Sequence, residues 1–208
     1  MTRIGVLASG RGSNFRALCE AGRHGVLGSG TFAVLVSDRA DAGALATARE
    51  FGVEALAILP RTFPSREAHE SAVADALAAR RVDLVCLAGY MRLLTAGFLL
   101  RFPRRVLNVH PALLPSFPGL HGQRQALEYG ARITGATVHF VDEGCDTGPV
   151  ILQAAVAVED GDTEESLSAR ILEEEHRIYP EAVRLFCAGR LKIDGRRVHI
   201  LEREETPA

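Results

Sequence analysis

Five short aliphatic runs, at residues 4–8, 32–37, 55–59, 82–88 and 106–109, alternate with stretches of helical spacing at 14–23, 42–51, 66–81 and 95–101. No other feature constrains the fold as much. Successive parallel strands need a crossover, and crossover helices cover the sheet, so the pattern predicts an α/β domain built on a mainly parallel sheet. Ser65 is a good N-cap for the third helix, and Ala68, Ala72, Leu77 and Ala79 supply part of its apolar face. With 208 residues, 47% of them hydrophobic, the chain is long enough to bury a core. One compact domain over residues 1–190 is expected, with residues 191–208 as a tail that forms a hairpin around Asp194-Gly195 and ends in a charged, frayed segment.

After the fifth run the alternation stops. Pro111, Pro115 and Pro118 punctuate a loop, residues 123–129 look helical, and two longer strand-like runs follow at 136–141 and 150–158. Asp162 with Glu165 reads as a capping box opening a long last helix, which Pro180 is expected to kink or interrupt.

Charge and cysteine usage exclude several classes. Twenty-four basic residues against 26 acidic ones, a net charge of -2, give no basic excess for a nucleic-acid backbone. Cys19, Cys86, Cys145 and Cys187 form no CxxC pair and are expected to be reduced. The longest apolar stretch falls well short of the roughly 18 residues that suggest a membrane span, and the N-terminus has no charged-then-apolar signal, so a soluble cytoplasmic protein without a membrane partner is expected.

Two places carry chemistry. The first run ends in Ser9-Gly10-Arg11-Gly12-Ser13-Asn14 and a helix follows at once, so main-chain amides and the helix N-terminus should form an anion site, with Ser13 and Asn14 adding side-chain hydrogen bonds. A tight turn with no ligand has the same pattern. A dinucleotide site is the other alternative: Asp38 ends the second strand, but Phe15 stands where a third glycine belongs. The second place is Asn108-Val109-His110-Pro111. Strand alternation puts Asn108 and His110 on one side at a carboxyl end, where open α/β sheets bind ligands. An amide beside an imidazole suits an oxygen that turns negative when a carbonyl is attacked. Asp146, in the turn-rich run Asp142-Glu143-Gly144-Cys145-Asp146-Thr147-Gly148-Pro149, would project back toward His110, favour the imidazolium and act as general base. Capping, a satisfied interior histidine and turn formation are the ordinary roles of these three residues. A metal set of His110, His121 and His139 fits no strong ligand spacing, and no metal is expected.

The sequence resembles the glycinamide ribonucleotide formyltransferase family through the glycine turn, Leu87-Ala88-Gly89-Tyr90-Met91-Arg92, Asn108-Val109-His110-Pro111 with Leu114-Pro115, Pro118-Gly119-Leu120-His121, and Val138-His139-Phe140-Val141 leading to Asp146-Thr147-Gly148-Pro149. The resemblance implies an open, mixed but mostly parallel seven-stranded sheet with helices on both faces, a Rossmann-like formyltransferase fold. It implies transfer of the formyl group of 10-formyltetrahydrofolate to glycinamide ribonucleotide through a tetrahedral intermediate, by a monomer or homodimer. Asn108, His110 and Asp146 would be catalytic, and His121 would support the aspartate. Gly12, Ser13, Asn14, Arg66, Pro111 and Glu175 would hold the ribonucleotide, although Arg66 also reads as a solvated helix charge and Glu175 as part of the acidic run Glu173-Glu174-Glu175. Met91, Arg92, Leu93, Leu94, Asn108, Val141, Asp142 and Asp146 would meet the folate. Leu172 departs from relatives, which often carry a polar or basic residue there. A formyltetrahydrofolate hydrolase and a methionyl-tRNA formyltransferase share the catalytic group but carry a further domain before or after it. A nicotinamide oxidoreductase or a noncatalytic nucleotide-binding module would need only the glycine turn.

Overall fold

The structure, a computed structural model, describes residues 1–202; the frayed end expected beyond them lies outside the described residues. In chain order the elements are β1 (Thr2–Ala8), α1 (Ser13–Arg23), β2 (Gly30–Ser37), α2 (Gly43–Glu50), β3 (Ala55–Ala57), α3 (Arg66–Ala79), β4 (Leu84–Leu87), α4 (Ala96–Arg101), β5 (Val106–His110), α5 (Gly122–Tyr129), β6 (Ile133–Phe140), β7 (Val150–Ala157), α6 (Glu164–Cys187), β8 (Leu191–Asp194) and β9 (Arg197–Ile200). They form one sheet in the order β3-β2-β1-β4-β5-β6-β7-β9-β8. The first five strands in that order are parallel, and β6 and β7 pair antiparallel.

The expected sheet had seven strands, and the described residues contain nine. The two extra ones are the tail hairpin, which turns at Gly195-Arg196 and joins β7 through the single parallel pair Val150↔Arg197. A main-chain edge left open on β7 offers unpaired donors and acceptors that the hairpin can use, a contact no local pattern announces.

Period-two alternation sorts the strand residues between two cores. Ile4, Val6, Leu35, Leu84, Cys86 and Leu107 pack with α1, α2 and α6. Leu7, Val34, Val36, Val85, Leu87 and Val106 pack with α3 and α4. Buried positions on both faces explain why these strands read as continuous aliphatic runs. Phe15, at the position of the missing third glycine, is fully buried and meets Phe32 edge-on at 5.7 Å between ring centres.

The last helix departs from expectation twice. Its capping box is Thr163 with Ser166, whose side chains and main-chain N–H groups bond reciprocally at 3.1 and 3.2 Å. Asp162 instead pairs with Arg170 at 2.5 Å. Pro180 does not interrupt the helix, which runs unbroken from Glu164 to Cys187. Ile178, Tyr179, Ala182 and Val183 around it are all buried against the sheet, so packing offsets the one main-chain bond the ring removes. All four cysteines are free thiols. No helix among the described residues is long and apolar enough to cross a membrane.

Candidate active site

Two cavities open along the carboxyl edge of the parallel strands. The first, of about 520 Å³, lies on the glycine turn and is lined by Gly12, Ser13 and Asn14 together with Arg11, Asp38 and Arg39. Gly12 is the N-cap of α1 with φ +84°, a left-handed conformation suited to glycine. A β-carbon there would also lie 2.7 Å from the Ala44 Cα, so the turn and α2 approach as closely as backbone allows.

Asn14 donates from Nδ2 to Glu175 at 2.8 Å, and its own Oδ1 is buried without a partner. Glu175 is buried, and burial pushes its carboxyl above the usual range against the opposing bond from Asn14. Of the acidic run, then, Glu173 is solvated and Glu174 pairs with Arg177 at 2.6 Å, while Glu175 turns inward beneath the glycine turn. Leu172 is half-buried on the same helix.

The second cavity, of about 530 Å³, is lined by the residues that the family resemblance implies for the folate: Met91, Arg92, Leu93, Leu94, Asn108, Val141, Asp142 and Asp146. His110, Pro111 and His121 line it too. Gly89, Met91 and Arg92 belong to both cavities, so the two spaces meet at the segment after β4.

Asn108, His110 and Asp146 come together at the floor of the second cavity. Asn108 and His110 share a face of β5, as alternation requires, and Asp146 reaches them from the loop between β6 and β7. That loop is folded back hard: a β-carbon on Gly148 would lie 1.7 Å from the Phe140 carbonyl oxygen, so only glycine permits the crossing. Asp146 itself holds φ +55°, and Phe117 (+56°) and His121 (+61°) nearby are also left-handed. Strained non-glycine backbone gathered at one cavity is characteristic of functional sites.

The carboxylate of Asp146 is the hub. Its Oδ2 lies 3.3 Å from His110 Nδ1 and accepts from the Gly119 N–H at 2.8 Å. Its Oδ1 accepts from Asn108 Nδ2 at 3.4 Å and lies 3.6 Å from His139 Nε2. Burial alone would raise its pKa, but the bonds from His139 and Gly119 and the nearby imidazoles outweigh it and hold the carboxyl down at about 2. The carboxylate is ionised through the neutral range. His110 is pushed below the ordinary histidine value by burial, against the pull of Asp146 and of the Phe117 carbonyl, to which its Nε2 donates at 2.8 Å.

His139 is the residue to which sequence reasoning gave no role, naming it in a discarded metal set and in one motif of the family resemblance. Its Nδ1 donates to the Phe140 carbonyl at 2.8 Å, and its Nε2 lies 3.2 Å from Asn108 Nδ2 and 3.6 Å from Asp146 Oδ1. It stands on β6 directly opposite Asn108, a cross-strand pairing that alternation cannot reveal before the register is known. His121 lines the cavity, but its ion-pair partner is Glu164 at 3.8 Å rather than Asp146. Arg66 was expected on the phosphate side of the ribonucleotide. It lines neither cavity: its guanidinium bonds Glu70 at 2.9 Å and the Leu93 carbonyl, because α3 ends its first turn beside the segment after β4 and not beside the glycine turn.

A mainly parallel sheet carrying a glycine turn beside an Asn, His and Asp group suits group transfer, and the comparison with known proteins gives the class: the chain belongs to the formyl transferase family, whose pattern matches residues 2–183. It is 42% identical to the phosphoribosylglycinamide formyltransferase of Escherichia coli (strain K12) over 202 residues, covering 94% of this chain and 95% of that one. The crystal structure of glycinamide ribonucleotide transformylase 1 from Symbiobacterium toebii is similar at 59% identity with a TM-score of 0.96, covering 97% of this chain and 95% of that chain. The trifunctional purine biosynthetic protein adenosine-3 of Drosophila pseudoobscura pseudoobscura is 45% identical over 191 residues, 91% of this chain; the chain spans 14% of that relative's length.

Proposed function

We propose that the chain transfers the formyl group of 10-formyltetrahydrofolate to the amine of glycinamide ribonucleotide, giving formylglycinamide ribonucleotide and tetrahydrofolate, in de novo purine biosynthesis in the cytoplasm. The observation that carries this reading is the meeting of the two cavities at Gly89, Met91 and Arg92, one built for an anion and the other holding Asn108, His110 and Asp146. A phosphate on the amides of Gly12, Ser13 and Asn14, a ribose near Glu175 and a glycinamide running past Pro111 would bring the amine to Asp146. The exposed side chains of Met91 and Leu93 suit a flat, partly apolar folate.

In this reading the amine nitrogen attacks the formyl carbon directly. Asn108 and His110 stand beside the oxygen that becomes negative in the tetrahedral intermediate. Asp146, anionic at neutral pH, holds the positive charge developing on the attacking nitrogen and orients His110. The bond from carbon to N10 of the folate then breaks, and the proton lost by the amine is delivered to N10. The chemistry needs no metal.

The test is the absorbance change on deformylation of 10-formyltetrahydrofolate by purified protein, with and without glycinamide ribonucleotide, with the formylated product followed by mass. Turnover that requires the ribonucleotide and yields its formyl derivative is expected. Turnover without it would make the chain a hydrolase, and no turnover at all would end the proposal.

A further inference from the structure

The segment shared by the two cavities is pinned from outside by one buried carboxylate. Glu70, on α3, is 3% exposed and lines neither cavity. Its Oε2 accepts from the Thr95 main-chain N–H at 2.8 Å and from the Thr95 hydroxyl at 2.5 Å, and its Oε1 accepts from Arg66 Nε at 2.9 Å. Arg66 passes the tie on, donating from its other end to the Leu93 carbonyl. The Thr95 hydroxyl, having given its proton to Glu70, turns a lone pair to the Phe98 N–H and caps α4. At the far end of the segment the Ser9 hydroxyl accepts from the Met91 N–H at 3.0 Å.

Burying a carboxylate is unfavourable unless its oxygens are fully paired. Glu70 meets that condition with three donors, two from Thr95 and the third from Arg66, so it fixes the main chain at Leu93 and at Thr95 together. The side chains of Met91 and Leu93 are 63% and 55% exposed, so their own packing does little to order the segment. A binding loop ordered in advance spares its ligand the cost of ordering it.

We propose that Glu70 is a positioning residue for the donor side of the site: through Thr95 and Arg66 it holds the 91–94 segment in the shape that receives the folate. The proposal rests on the formyl-transfer reading above. Glu70→Gln separates the links, because the amide oxygen can still accept from Thr95 while the amide nitrogen cannot accept from the Arg66 guanidinium.

Steady-state kinetics with both substrates varied gives the test. For Glu70→Gln the KM for 10-formyltetrahydrofolate is expected to rise about tenfold, while kcat and the KM for the ribonucleotide stay within about twofold. Glu70→Asp, which keeps the charge, should recover part of the loss. An unchanged folate KM, or equal rises in both KM values, would overturn the proposal. Should circular dichroism show Glu70→Gln unfolded, Thr95→Val decides: it removes one donor to Glu70 together with the cap of α4, leaves Glu70 and Arg66 in place, and a folate KM that does not move would overturn the proposal there. Failure of the underlying reading shows separately, as no ribonucleotide-dependent turnover by the unsubstituted enzyme, and removes the folate role of Glu70 with it.

Discussion

At the scale of the residue, the site is an economy of donors around one carboxylate. Asn108 donates its amide to Asp146 and stands beside His139, so truncating it removes the amide from that group while leaving the glycine turn untouched. Asn108→Ala is expected to lower turnover by about a hundredfold or more with little change in ribonucleotide affinity, as loss of one preorganised donor does elsewhere; stopped assays paired with calorimetric binding would check both halves. Unchanged turnover would remove Asn108 from the mechanism. Asp146 makes a prediction about acid. Its folded pKa, about 2, lies below its ordinary value of 3.8, so its contribution to stability is complete above the ordinary value and is lost as pH falls toward 2. Asp146→Asn lacks that contribution at every pH. The gap in Tm between parent and variant should therefore be constant from pH 7 to about 5 and close between about pH 4 and 2; a gap that stays constant to pH 2 would show that the carboxylate is not held by its imidazole and amide partners.

At the scale of the element, the glycine turn and α6 are tied together by the bond from Asn14 to Glu175. Gly12 combines a left-handed backbone with a close approach to Ala44, so Gly12→Val must both strain the turn and push α2 away. The displacement is local to β1, α1 and α2, and the second cavity is built from other elements. Ribonucleotide affinity is therefore expected to fall by at least about tenfold with folate affinity nearly kept; equal losses in the two titrations would mean general misfolding. The α6 helix shows how packing overrides a local rule. Pro180 breaks a helix in isolation, yet Tyr179 beside it is fully buried and donates its hydroxyl between the carbonyls of Leu87 and Leu107, anchoring α6 across β4 and β5. The same anchoring holds Glu175 inward under Asn14, where an acidic run read by itself suggests only a solvated face.

At the scale of the whole molecule, much of the site could be read from local pattern because the chemistry sits at strand ends. Strand runs and helix spacing locate the carboxyl edge, the glycines mark the turn between strand and helix, and period two places Asn108 and His110 on one face. Asp146 was joined to His110 from its turn-rich loop, where turn formation is its ordinary role, and the family resemblance implied that the three act together. The remainder depends on contacts between residues far apart in the chain. The register of β5 against β6 sets His139 opposite Asn108, the placement of α3 carries Arg66 and Glu70 to the segment after β4 instead of to the glycine turn, and an open edge on β7 recruits the tail hairpin into the sheet. The sequence by itself determined the alternating architecture, the glycine turn and the pair on β5, since each follows from neighbours within a few residues. Only the tertiary structure decided which buried carboxylate serves which loop and that two cavities meet at one segment, because burial and pairing of charge arise when distant elements pack and have no local periodicity to announce them.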